Sequence, residues 1–152
     1  MPTEETAEAG AVECEVRIEA APETVFPFFT DPERMTRWMG ETATLDPRPG
    51  GVWRAAVVGE HTARGEYVEV DPPRRVVFTW GWENEDTLVE PGSSTVEVEL
   101  IPDGEGTLVR LTHRDLPEQA RDQHRMGWTH YLDRLAIAAP GGDPGPDRGP
   151  QL

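Results

Sequence analysis

Lysine is absent from this chain of 152 residues, so all 14 basic residues are arginine. That excludes Schiff-base chemistry on a lysine amine and the phosphate-gripping lysine of a P-loop. Serine is almost as scarce. Ser93 and Ser94 are the only two, and they stand beside Pro91 and Gly92 in a turn-like context, which argues against a buried serine nucleophile. The single cysteine, Cys14, can form no internal disulfide and belongs to no CxxC pair for zinc or redox work. A reducing, cytoplasmic setting is expected. No apolar run approaches the roughly 18 to 20 residues of a membrane span. The opening MPTEETAEAG lacks the basic start and apolar middle of a secretory signal.

What is plentiful is acid. The 29 Asp and Glu residues leave a formal net charge of -15, a field that repels polyphosphate, so neither nucleic-acid binding nor docking on an anionic membrane is expected. Residues 1–11 are polar, acidic and without periodicity, and residues 140–152 are rich in Pro and Gly. Both read as disordered tails around one domain at 12–139. A domain of that size buries about two-thirds of the surface its unfolded chain exposes.

The domain opens with Val12, Cys14, Val16 and Ile18 alternating with charged residues, the period of a half-buried strand. Pro22 then starts a short helix that Pro27 interrupts, and Asp31-Pro32-Glu33 supplies an N-cap, a first-position proline and an acid for a second. From Thr42 to His113 the pattern is one of strands, at 42–46, 51–58, 62–70, 75–82, 94–101 and 106–113. Pro49-Gly50-Gly51, Gly59-Glu60, Pro72-Pro73, Pro91-Gly92 and Asp103-Gly104 carry the turn chemistry that divides them. Residues 117–139 form the one long helix, with Ala120, His124, Gly127, Trp128, Tyr131, Leu132, Leu135 and Ala139 on one stripe. One long helix and two short ones can hardly fill the concave face of such a sheet. The expected class is therefore α+β with a cavity between sheet and helix, the default place for an apolar ligand.

The run Ala21 to Phe26, then Thr30-Asp31-Pro32-Glu33 leading to Arg37-Trp38-Met39-Gly40, then Pro49 to Arg54, Gly65 to Trp80, His124 to Trp128 and Leu132 to Leu135, resembles the SRPBCC, or START-like, superfamily. Within it the chain is similar to bacterial proteins resembling the C-terminal domain of the activator of heat-shock-protein-90 ATPase. The resemblance implies a helix-grip fold: a curved seven-stranded antiparallel sheet around a long C-terminal helix, plus two short helices, enclosing a hydrophobic pocket. It also implies a range of activities, from lipid carriers and antibiotic-sequestering proteins to polyketide aromatases and cyclases and co-chaperones. The eukaryotic co-chaperone has a further N-terminal domain with no counterpart before Val12, so direct chaperone contact is not expected.

Five Trp residues all fall in or beside elements. Val76, Phe78, Trp80 and Trp82 share strand parity and should face one way. The expected ligand wall is Trp38, Trp53, Phe78, Trp80, Trp82, His113, His124, Trp128 and Tyr131, with several of these serving as ordinary core. His113, His124 and Tyr131 are the weak candidates for proton transfer. A lone histidine on an apolar face is more often structural, and His61 and His130 read as peripheral. His124 and His130 are six residues apart, off one helix face, and no HExxH or Cys cluster exists, so no metal and no cofactor are expected. Arg54 reads as solvent-facing, whereas Arg64 and Glu66 leave an inward charged pair open. Gly127 reads as a close approach of helix to sheet, with room for a ligand as the second explanation.

The leading expectation is binding or sequestration of a hydrophobic aromatic, polyketide-like or acyl molecule. The alternatives are a cofactor-free aromatase or cyclase acting on such a ligand, and a co-chaperone-like interaction module with a stress-response role. A homodimer is left open.

Overall fold

Alternating apolar and polar residues become, in the computed structural model, seven antiparallel strands. It describes residues 11–58, 61–84 and 86–147 and, within them, every side chain but that of Val58. The strands are β1 (Val12–Ile18), β2 (Thr42–Leu45), β3 (Val52–Val58), β4 (His61–Asp71), β5 (Arg75–Trp80), β6 (Ser94–Asp103) and β7 (Gly106–Arg114). They form one sheet in the order β1-β7-β6-β5-β4-β3-β2. Only the β1–β7 neighbourhood is non-sequential, because the two short helices α1 (Pro22–Val25) and α2 (Pro32–Met35), joined by a 3-10 turn at Phe26–Phe29, carry the chain across to the opposite edge. The remaining strands follow as a meander. The long helix α3 (Glu118–Ala138) then returns over the concave face. This is the helix-grip arrangement that the resemblance implied.

Two register shifts bend the sheet. One lies between Ala56 and Val58 in the β3–β4 pair and the other between Tyr67 and Glu69 in the β4–β5 pair. Each adds local twist to that half of the sheet. Pro27 does interrupt the first helix, converting it to the 3-10 turn. The side chain of Asp31 accepts a hydrogen bond from the Glu33 N–H, as an N-cap should. Trp38 anchors this corner: its Nε1–H donates to the Phe28 carbonyl at 2.9 Å, and its ring meets Phe29 edge-on. The Tyr67 hydroxyl donates to the Phe29 carbonyl at 2.9 Å, tying the same turn to the sheet.

The concave face of the sheet and one stripe of α3 make the core, including Val76, Val96, Val98, Leu111, Leu132 and Leu135. The convex face is a lattice of charge. Glu97, almost buried, is gripped between Arg75 and Arg114, while Arg110 pairs with Glu15 and Arg54 with Glu83. Arg64 and Glu66 lie on this outer side, exposed, because Ala63 and Tyr67 take the inward parity of β4. No inward charged pair forms there. Strand β5 also stops short of the expected 82: Gly81 backs directly onto the Glu90 carbonyl, and Trp82 keeps only an isolated bridge to Ala63. The expected tail residues 1–10 and 148–152, and the Gly59-Glu60 turn, lie outside the described residues. Residues 140–147 run back beside α3, where the Arg134 guanidinium reaches the Pro144 carbonyl and His130 meets Asp147 at 2.9 Å.

Candidate functional site

The curved sheet and α3 do not close on each other completely. Between them lies a cavity of about 380 Å³, within the range of small-molecule sites. Trp80, Trp82 and Val57 supply the sheet wall, and His124, Gly127, Trp128 and Tyr131 the helix wall. The segment between β5 and β6 forms the third side through Asn84, Asp86, Thr87, Leu88 and Val89, with Met39 and His61 at the ends. Leu88 is 64% exposed at the mouth, an unusual position for a large aliphatic side chain.

Two histidines hold the indoles in place. Trp128 Nε1–H donates to His113 Nδ1 at 2.9 Å. His113 therefore carries its proton on Nε2, which donates to the Ser94 hydroxyl at 2.9 Å, and the Ser94 hydroxyl donates in turn to the Trp80 carbonyl at 2.8 Å; Ser94 is thus buried at the start of β6, not set in an open turn as its neighbours Pro91 and Gly92 suggested. On the helix, Trp82 Nε1–H donates to His124 Nε2 at 3.1 Å, so His124 is protonated on Nδ1, which donates to the Ala120 carbonyl at 2.8 Å. The two imidazoles are 5.3 Å apart and edge-on. Burial keeps His113 neutral far below the ordinary histidine range, with His124 nearby adding to the effect, and burial lowers His124 as well. Both rings thus act as uncharged struts whose nitrogens are already committed.

Of the nine residues expected to form the wall, five meet at the cavity: Trp80, Trp82, His124, Trp128 and Tyr131. The other four stand behind it. Trp53 stacks on Phe78 with centroids 4.6 Å apart, Trp38 fills the corner under the short helices, and His113 is wholly buried beneath Trp128. His61, read as peripheral, is exposed but sits at the rim, edge-on to Trp82. Gly127 departs from its first explanation: a Cβ there would meet nothing within 4 Å, so the glycine faces open cavity and does not mark a close contact with the sheet.

Sequence reasoning missed the wall formed by Asn84 and residues 86–89. Nothing periodic marks that stretch; its one signal is Leu88-Val89 embedded among polar residues in a segment too long for a tight hairpin. The Tyr131 hydroxyl leans on the Val57 carbonyl at 3.4 Å, and burial raises its pKa further from neutrality. The Trp80 indole N–H has no protein partner, nor has that of Trp53 deeper in the core. Among the described residues no group of three or more His, Cys, Asp or Glu is placed to hold a metal ion, and no helix is long and apolar enough to cross a membrane.

The sequence profile of a family described as Activator of Hsp90 ATPase homolog 1-like protein matches residues 19–139. Among solved structures, an AHSA1-like protein of Rhizobium etli is 44% identical, with 93% of this chain and 90% of that one covered at a TM-score of 0.71. DynU16, a protein in the dynemicin biosynthetic locus, is 24% identical over 88% of this chain with a TM-score of 0.76; the chain spans only 48% of its length. An HSP90 activator from Plasmodium falciparum is 25% identical, with 84% and 94% of the two chains covered and a TM-score of 0.67. Among curated proteins no match was found.

Proposed function

The chain belongs to the family of Activator of Hsp90 ATPase homolog 1-like proteins, and with that membership as footing we propose that it binds, and by binding sequesters, a hydrophobic ring-containing small molecule. The observation that carries this reading is the indole-walled cavity itself. Gly127 leaves the helix side open where any other residue would project into the space. The rings of Trp82 and Trp128 are pinned by histidines, so a ligand meets a wall that needs little ordering. A flat bicyclic ligand burying about 200 Å² of apolar surface gains about 5 kcal/mol of transfer free energy, from which the cost of immobilising the ligand is subtracted.

Native mass spectrometry of the freshly purified protein tests the reading. A co-purifying small molecule, or saturable uptake from a library of aromatic compounds, supports it. No adduct, together with no calorimetric signal from any aromatic probe at millimolar concentration, refutes it.

An aromatase or cyclase would need His113, His124 or Tyr131 to move protons. Both histidines have each nitrogen engaged, and His113 does not reach the cavity, which favours binding over catalysis. A co-chaperone-like role draws support from the likeness to the Plasmodium HSP90 activator. Its test is a pull-down at low and high salt, since an acidic exterior would dock a basic partner in a salt-sensitive way.

A further inference from the structure

Resting on the reading of this cavity as a ligand site, we infer that its preferred occupant is an aromatic organic cation, one bearing an amine or quaternary ammonium group, in preference to a fatty acid or other aromatic carboxylate. Three observations converge on this. The walls present π-faces and edges of Trp80, Trp82, Trp128 and Tyr131, with the first ring lying 5.3 Å from the second and 5.1 Å from the third. Indole faces attract a cation through their quadrupole and offer nothing to an anion. Among the described residues that line the cavity there is no arginine to receive a carboxylate, although the chain has 14. Among the described lining residues the only carboxylate is that of Asp86, which stands exposed at the mouth.

The sequence around that aspartate points the same way. Residues 81–93 hold Glu83, Glu85, Asp86 and Glu90 and no basic residue. Within this stretch Glu83 is already neutralised by Arg54 and, more distantly, Arg64, on the outer face of the sheet. Among the described acids of this stretch, Asp86 is the one that lines the cavity. Behind it, His124 accepts the Trp82 indole N–H on Nε2 and is kept uncharged by burial, so it opposes no positive charge in the pocket. The net charge of -15 adds a long-range field that concentrates cations and depletes anions at the mouth.

The experiment compares three probes that share one ring system: (2-naphthylmethyl)trimethylammonium, 2-naphthylmethanol and 2-naphthoate. Each is titrated calorimetrically into the full-length protein and into Asp86→Asn, an exposed substitution that leaves the core untouched. The ammonium probe is expected to bind about tenfold more tightly than the alcohol, and the carboxylate more weakly than either. In Asp86→Asn the ammonium advantage should fall about threefold while the affinity for the alcohol stays constant. Raising the salt to 1 M should shrink the advantage in the wild type further. Equal binding of ammonium and alcohol, or carboxylate binding as tight as ammonium, overturns the inference and leaves the cavity as a site for neutral rings. No binding by any of the three overturns both the inference and the reading beneath it.

Discussion

Gly127 separates a packing role from a ligand role by a single substitution with opposite effects on two measurements. A glycine inside a helix costs about 1 kcal/mol relative to alanine. Residue 127 lies in the middle of α3, which spans Glu118–Ala138, and a Cβ added there meets no atom within 4 Å. Gly127→Ala should therefore recover nearly the whole propensity difference, raising the unfolding free energy by about 1 kcal/mol and the melting temperature by about 4 °C. Gly127→Leu should keep most of that gain, because leucine is nearly as good a helix former. Its side chain would also enter the cavity of about 380 Å³. Ligand affinity should then fall at least tenfold while stability rises. Urea denaturation and calorimetric titration of the same preparations read the two quantities. A destabilised Gly127→Ala would mean that helix and sheet approach more closely there than described. A Gly127→Leu protein that binds as well as wild type would place the ligand elsewhere.

Other consequences follow from the struts and the roof. His113→Leu removes the acceptor of the Trp128 indole and the donor to Ser94, leaving a buried N–H unpaired, and should cost about 2 to 4 kcal/mol in urea denaturation. Because burial depresses the folded-state pKa of His113, the unfolded chain takes up a proton first as pH falls. Stability from this group is complete above about pH 6.5 and drains away below it, by about 1 kcal/mol between pH 7 and 5.5, with a further loss in the same direction from His124. Denaturation at the two pH values should show that slope in the wild type and a shallower one in His113→Leu. Gly81→Ala would set a Cβ 1.9 Å from the Glu90 carbonyl oxygen, displacing the backbone that carries the cavity roof. It should lower stability by about 1 to 3 kcal/mol and weaken ligand binding, whereas unchanged binding would show the roof to be dispensable.

The strands were legible because their charged and apolar residues alternate and Gly or Pro marks nearly every break. Val96, Val98 and Leu100 against Glu97 and Glu99 show this most plainly, although Glu97 turned out nearly buried beneath two arginines. The helix stripe was equally readable, and it delivered His124, Trp128 and Tyr131 to the cavity. Depth was not readable. Parity puts Phe78 and Trp80 on one face, yet Trp53 from the second strand away stacks over Phe78 and removes it from the cavity. That stacking depends on the β3–β4–β5 register, which local pattern does not specify across two bulged pairs. The roof formed by Asn84 and residues 86–89 was invisible for a different reason: its position depends on Gly81 meeting the Glu90 carbonyl and on the Trp82 backbone N–H donating to the Val89 carbonyl, contacts with no periodic signature.

Because Trp80 lies 5.2 Å from Trp53, 5.3 Å from Trp82 and 5.1 Å from Trp128, light absorbed by one of these chromophores is shared among all four. Their transition dipoles are coupled at fixed, non-parallel angles, so the folded protein should carry a strong near-ultraviolet exciton signature. A guest that tilts even one member of the quartet would alter the whole band, and occupancy could be followed spectroscopically with no label attached.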